Sequence, residues 1–126
     1  MTVSVEMCPA VRVVGHHPLY SAGHYGDQPA LIARLTPLFR RHGVQLFING
    51  HEHSYERTRP INGTTHLIMG GGGAWLRPIQ AHARSAKTLS AYSFAEASAT
   101  ASRLEIRAFD LRGRLIDQAS LSPRCS

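Results

Sequence analysis

The sequence has no apolar run approaching the ~20 residues that a helical membrane span needs, so no membrane-spanning segment is expected. Met1 to Ala10 holds neither a charged leading region nor an apolar stretch, so it does not read as a signal peptide. Cysteine is scarce. Cys8 and Cys125 lie near opposite ends and lack the spacing of a metal cluster. A disulfide joining the termini and a pair of free thiols both stay open. Acidic residues are few, 8 against 14 lysines and arginines, which leaves a formal net charge of +6. That excess suits an anionic small substrate, a nucleic acid or simply a solvated basic surface. The arginines are scattered, without aromatic interleaving and without a helix stripe, so nucleic acid is not the expected partner. The glycine run Gly70–Gly73 is followed by neither Gly-Lys-Ser/Thr nor a helical pattern, which excludes a P-loop. No internal repeat, linker or low-complexity tract is visible.

What is present is one small domain's worth of chain. Its 126 residues are 43% hydrophobic, enough for a core. Residues 11–122 read as one unit, with 1–10 and 123–126 as tails. Val11–Gly15 is a short β-rich run. Pro29 can open a helix at its first turn. Leu31, Ile32, Leu35, Leu38 and Phe39 then recur at helical spacing to about His42. Pro37 predicts a kink or local break inside that helix, and Gly43 is a plausible C-terminal cap. Val44–Ile48 and Thr65–Met69 read as strands, with a hairpin-like turn at Ile61-Asn62-Gly63-Thr64 between the second of these and the preceding loop. Ile79–Leu89 reads as irregular. Ser90–Ala97, Arg103–Asp110 and Arg114–Leu121 read as three strands, the last two joined by a turn at Leu111-Arg112-Gly113.

Histidine carries the chemistry. Val44–Ile48 delivers the chain into Asn49-Gly50-His51-Glu52-His53. In an open α/β sheet, ligands bind at the C-terminal ends of strands. If the strand continued through His51 and His53, both imidazoles would point the same way. If the chain turns there, they diverge enough to serve two neighbouring metal ions. The run Val11–Gly15 ends in the same manner, in His16-His17-Pro18. Two strands that each end in Gly-His converge on one edge if they are neighbours in a parallel sheet.

At this point the motifs become specific. Val13-Val14-Gly15-His16, continued by His17-Pro18-Leu19-Tyr20-Ser21, is followed by Asn49-Gly50-His51-Glu52-His53-Ser54-Tyr55-Glu56-Arg57. The pair resembles the last two metal motifs of the calcineurin-like metallophosphoesterases, and among them those of the purple acid phosphatases. That family carries a Val-x-x-His and a Gly-His-x-His motif separated by one helix and one strand, as here. The resemblance runs from about Val11 to Leu121 and covers the second half of the family's domain.

The resemblance implies an α/β fold with α+β tendency: the C-terminal half of the family's β-sandwich with flanking helices, a βαβ unit followed by antiparallel strands. Such a half is expected to supply mainly one sheet, whose uncovered inner face would favour dimerisation or poor solubility. The implied function is a metal-dependent phosphoric-ester hydrolase, acid phosphatase-like, with a phosphate ester as substrate. Residue by residue, His16 and His51 would bind one metal ion and His53 the other. His24 would contact substrate or protonate the leaving group. His17 takes a position that is usually variable and reads as a loop histidine. Glu52 is the variable residue of Gly-His-x-His, and Arg57 is expected to hold structure.

The complete domain would hold two divalent or trivalent ions, Fe, Zn or Mn. The family's earlier motifs, Asp-x-Gly, Gly-Asp-x-x-Tyr and Gly-Asn-His-Asp/Glu, do not occur in this sequence. This chain is therefore expected to hold at most one ion and to need the missing N-terminal half as partner. The alternative is a truncated, noncatalytic domain of the same fold with a weak histidine site.

Overall fold

A computed structural model describes residues 11–122. The two tails, and with them Cys8 and Cys125, lie outside the described residues. The chain runs β1 (Val11–Val14), α1 (Pro29–Arg41), β2 (Val44–Asn49), β3 (Tyr55–Thr58), β4 (Thr65–Met69), β5 (Ser85–Leu89), β6 (Ser93–Ala99), β7 (Leu104–Asp110) and β8 (Leu115–Leu121). The strands form a five-stranded sheet, ordered β1-β2-β4-β3-β5, and a separate three-stranded sheet, β6-β7-β8. β1, β2 and β4 are mutually parallel, while β3 runs antiparallel to both β4 and β5. The second sheet is an antiparallel meander. The architecture is thus α/β, with a βαβ unit at the start and antiparallel strands after it. Among the described residues no helix is long and apolar enough to cross a membrane.

Side-chain alternation along a strand sends successive residues to opposite faces, and β2 uses both. Leu46 joins Tyr55 and Leu67 on one face, packed on Leu104, Ile106 and Ala108 of the second sheet. Phe47 joins Val44 and Leu19 on the other face, packed on Phe39 of α1. The larger sheet is therefore the middle layer, with α1 on one side and the smaller sheet on the other. This corrects the expectation of mainly one sheet with a bare inner face. The apolar spacing shows that strands exist, but not which sheet they join. The short turn at Ser90–Tyr92 redirects the chain, and the last three strands fold over the first sheet.

Two further strands were not expected. β3, Tyr-Glu-Arg-Thr, and β5, Ser-Ala-Lys-Thr-Leu, are too polar to show a hydrophobic period. Their polar side chains are instead paired inside. Ser85 Oγ donates to Glu56 Oε2 at 2.6 Å, and Tyr55 Oη donates to Asp117 Oδ2 at 2.6 Å. Arg57 Nε reaches the same Asp117 oxygen at 2.7 Å and Arg57 Nη2 the other at 3.1 Å. Burial pushes the Asp117 carboxyl up, but the bonds from Arg57 and Tyr55 outweigh it and leave the group below its ordinary range. These bonds fasten the middle layer to β8, the role expected of Arg57.

Helix α1 runs without a break through Pro37. Proline there removes one backbone bond. Phe39, two residues on, is buried, with its ring 5.3 Å from Phe47, and this packing holds the last turn in line. Gly43 follows the helix with φ 59° and donates to the Arg40 carbonyl, as expected of a C-terminal cap.

His66 on β4 is buried, 2% exposed, among Tyr20, Phe39 and Phe47. Burial, and then the Arg84 charge, push its pKa down to about 4. The unfolded chain takes up this proton near pH 6.5 and the folded chain only near 4, so protonation favours unfolding. The contribution is fully present above pH ~6.5 and is lost as pH falls towards 4, by about 3 kcal/mol in all. His66→Phe is expected to lose correspondingly less stability than the parent between these pH values in urea titrations. Equal losses in the two proteins would mean that the imidazole is solvated in the fold.

Candidate metal centre

β1 and β2 lie side by side in parallel, so their C-terminal ends meet. The ladder continues past both strands: Gly15 N donates to the Ile48 carbonyl at 3.0 Å, and Gly50 N to the His16 carbonyl at 2.9 Å. His16 follows β1, and His51 follows β2, by one glycine each. Their rings face each other, with His16 Nε2 and His51 Nδ1 3.3 Å apart. His17 completes the group, and the ligand atoms of His16, His17 and His51 all lie within 4.8 Å of one another.

The chain turns at His51. Its φ is 66°, in the left-handed region that non-glycine residues rarely adopt. Glu52 N donates back to the Gly50 carbonyl at 2.8 Å, closing a tight turn. The two imidazoles of His-x-His therefore diverge. His51 goes to His16 and His17. The His53 ring instead meets Trp75 edge-on at 4.9 Å, and its Nδ1 is buried without a hydrogen-bond partner. Partial burial, then the charges of His17 and His16, hold His51 below the ordinary histidine range. The neutral ring, with a free lone pair, is the form a metal ion takes.

His24 sits one ring further out. It meets Tyr25 edge-on at 4.9 Å, and Tyr25 stacks on His51 at 4.2 Å. The guanidinium of Arg77 lies 5.2 Å from the Tyr25 ring centre, on the same stack. Tyr25 and Arg77 drew no functional reading from the sequence. An aromatic in a loop and an arginine after a glycine run carry no signal until the fold brings them together.

Glu52 turns away from the histidines and is 1% exposed. Its carboxylate accepts from Ser21 Oγ and from Tyr25 N, the latter at 3.1 Å. Glu56, also buried, accepts from Ala22 N at 2.8 Å. The loop that carries His16, His17 and His24 is thus held from below by two carboxylates of the segment that carries His51 and His53. The glycine run closes the arrangement. A Cβ on Gly70 would overlap the Glu52 carbonyl, whereas Gly72 and Gly73 have open space around them. The bare backbone expected at the site is needed at Gly70. The donor set as a whole, imidazoles at strand ends with one buried imidazole nitrogen unpaired, suits a metal ion.

Comparison with known proteins agrees. The family model for calcineurin-like phosphoesterases matches residues 4–55. Purple acid phosphatase 17 of Arabidopsis thaliana is 33% identical over 110 residues, covering 82% of this chain and 32% of that protein. Tartrate-resistant acid phosphatase type 5 of Oryctolagus cuniculus is 32% identical over 75 residues, covering 60% of this chain and 23% of that protein. The structure of purple acid phosphatase PPD1 from yellow lupin (Lupinus luteus) seeds superposes with a TM-score of 0.85 at 26% identity, covering 94% of this chain and 26% of that one. The chain belongs to the calcineurin-like metallophosphoesterases. Within that family it stands close to the purple acid phosphatases. It spans about a third of the length of the Arabidopsis relative.

Gly70 tests the packing of the centre. Gly70→Ala is expected to lower stability by about 3 kcal/mol or more, because backbone rather than a flexible side chain blocks the new methyl. Gly72→Ala is expected to stay within about 0.5 kcal/mol of the parent in the same urea melts. Equal effects of the two substitutions would mean that the Gly70–Glu52 approach is not rigid.

Proposed function

We propose that this chain contributes the histidine side of a dinuclear phosphoesterase centre, acting on phosphate monoesters, and that it turns over substrate only together with the remainder of the domain. The observation that carries this reading is the His16–His51 approach at the ends of neighbouring parallel strands, 3.3 Å between ring nitrogens. His16 and His51 would hold one ion and His53, turned to the other side of the His51 bend, the second. When bound, such ions would neutralise charge on the phosphoryl oxygens and lower the pKa of a water for in-line displacement. His24, at the outer edge of the ring stack, would meet the ester and pass a proton to the leaving oxygen. The +6 net charge draws an anionic ester towards the chain.

Two cations held close together need an anionic bridge to offset their repulsion. The cluster of possible ligands among the described residues is made of histidines alone. Glu52 and Glu56, the nearest carboxylates along the chain, are engaged in holding the loop. This supports the need for a partner. An apolar cavity of about 300 Å³ remains between the sheets, lined by Leu46, Ile48, Leu67, Met69, Phe94 and Ile106. The exposed Trp75 and Phe94 favour association with a partner or with a second copy.

The 126-residue chain alone is expected to hydrolyse an aryl phosphate no faster than a metal blank. Supplying a relative's N-terminal half, as a separate chain or a fusion, is expected to restore hydrolysis. His53→Ala should then abolish it, and His24→Ala should lower it by roughly 10²–10⁴-fold, the range of a lost general acid. Metal-dependent turnover by the isolated chain that disappears in His16→Ala would overturn the requirement for a partner.

A further inference from the structure

His17 occupies a position that the metal motifs leave free, yet it is the third member of the cluster. Its ring meets His16 edge-on at 4.9 Å and lies over His51 at 4.4 Å. Its ligand atom lies within 4.8 Å of theirs, a condition that His53, turned towards Trp75, does not share. Two nitrogens bound to one Zn²⁺ at ~2.0–2.1 Å in a tetrahedral arrangement stand about 3.3 Å apart. His16 Nε2 and His51 Nδ1 are 3.3 Å apart before any ion binds. His51 is held there by its bend and by the Tyr25 stack at 4.2 Å. His16 is held by the backbone bond from Gly50. Pro18 narrows the backbone choices of His17 to extended forms. His16 and His17 are both exposed, so the cluster opens to solvent on one side.

We propose that His16, His17 and His51 together form a mononuclear, three-imidazole Zn²⁺ site in this chain, with His17 as third ligand and a fourth position open to water or a phosphate oxygen. Three neutral nitrogen donors and one open position are a sufficient set for Zn²⁺. His17 thereby compensates, within this chain, for the absence of a carboxylate from the cluster. The inference rests on the metal-dependent reading above and adds to it a ligand that the family motifs do not name.

The experiment is Zn²⁺ titration of the 126-residue chain by calorimetry, with His17→Ala, His51→Ala and His53→Ala beside it. A second readout is the visible spectrum of the Co²⁺-loaded protein, which reports tetrahedral nitrogen ligation. One ion per chain is expected. His17→Ala and His51→Ala should each weaken binding by at least about 100-fold, while His53→Ala keeps the parent affinity. Because His17 is exposed, its alanine variant should melt like the parent without metal. Only the parent and His53→Ala should gain melting temperature on adding Zn²⁺. Parent-like affinity in His17→Ala, together with loss in His53→Ala, would overturn this inference and leave the metallophosphoesterase reading standing. Zn²⁺ binding indifferent to all three substitutions would overturn both.

Discussion

A carboxylate taken out of water must find donors for its oxygens or leave the fold short by several kcal/mol. Glu52 and Glu56 are both buried, and they take Ser21 Oγ, Tyr25 N and Ala22 N from one loop, with Ser85 Oγ of β5 as a further donor to Glu56. That requirement fixes the loop between β1 and α1 against the segment that runs from the end of β2 into β3. His16 and His17 sit at the start of the loop, His24 beside the donors, and His51 and His53 on either side of Glu52. Asp27 extends the same arrangement, accepting from Ser21 N at 3.0 Å and pairing with Arg84. Gln28 N closes the loop base on the Leu19 carbonyl at 2.8 Å. The imidazoles are exposed or half-buried, but what positions them is buried beneath.

The layer below is fastened in turn. Glu56 is followed by Arg57 and preceded by Tyr55, and both neighbours bond to Asp117 on β8. One four-residue strand thus sends Glu56 to the loop and Tyr55 and Arg57 to the second sheet. β3 lies between β4 and β5, antiparallel to both, with its backbone bonded on each side. A strand this polar is stable because its charges and hydroxyls are matched, not because it is apolar. Truncating one partner of such a set costs more than the bond itself, since the others stay buried and unpaired.

These features explain what was legible beforehand. The βαβ unit was readable because Leu31, Ile32, Leu35 and Phe39 recur at helical spacing on α1, and because Val44, Leu46 and Phe47 make β2 a short apolar run with a core on both faces. His16 and His51 were readable because Gly-His at the end of an apolar run is a local signal. β3 and β5 were not, since the pairing of Glu56 with Ser85 spans 29 residues and leaves no periodic trace. The division into two sheets was hidden for a similar reason. Strand patterns state which face is apolar, and the second sheet's apolar face could have served either sheet. His17 was hidden because its meaning lies in a distance to His51, 34 residues along the chain.

The bend at His51 ties the sequence pattern to the chemistry most directly. On a continuing strand, His51 and His53 would share a face, and the pair would crowd one ion. The left-handed φ of His51 breaks that relation at a single residue. Strain of this kind persists only where the surroundings over-determine it. Here the Gly50 amide is tied to His16, Glu52 is anchored below, Gly70 packs against the Glu52 carbonyl, and Arg77 N donates to the His53 carbonyl at 3.0 Å. The bonds that impose the bend are those that bring in the β1 loop and the glycine run. Separating the two imidazoles is therefore a consequence of packing the whole strand-end region. It places one ring in a histidine cluster and leaves the other, with a buried free nitrogen, for a different neighbour.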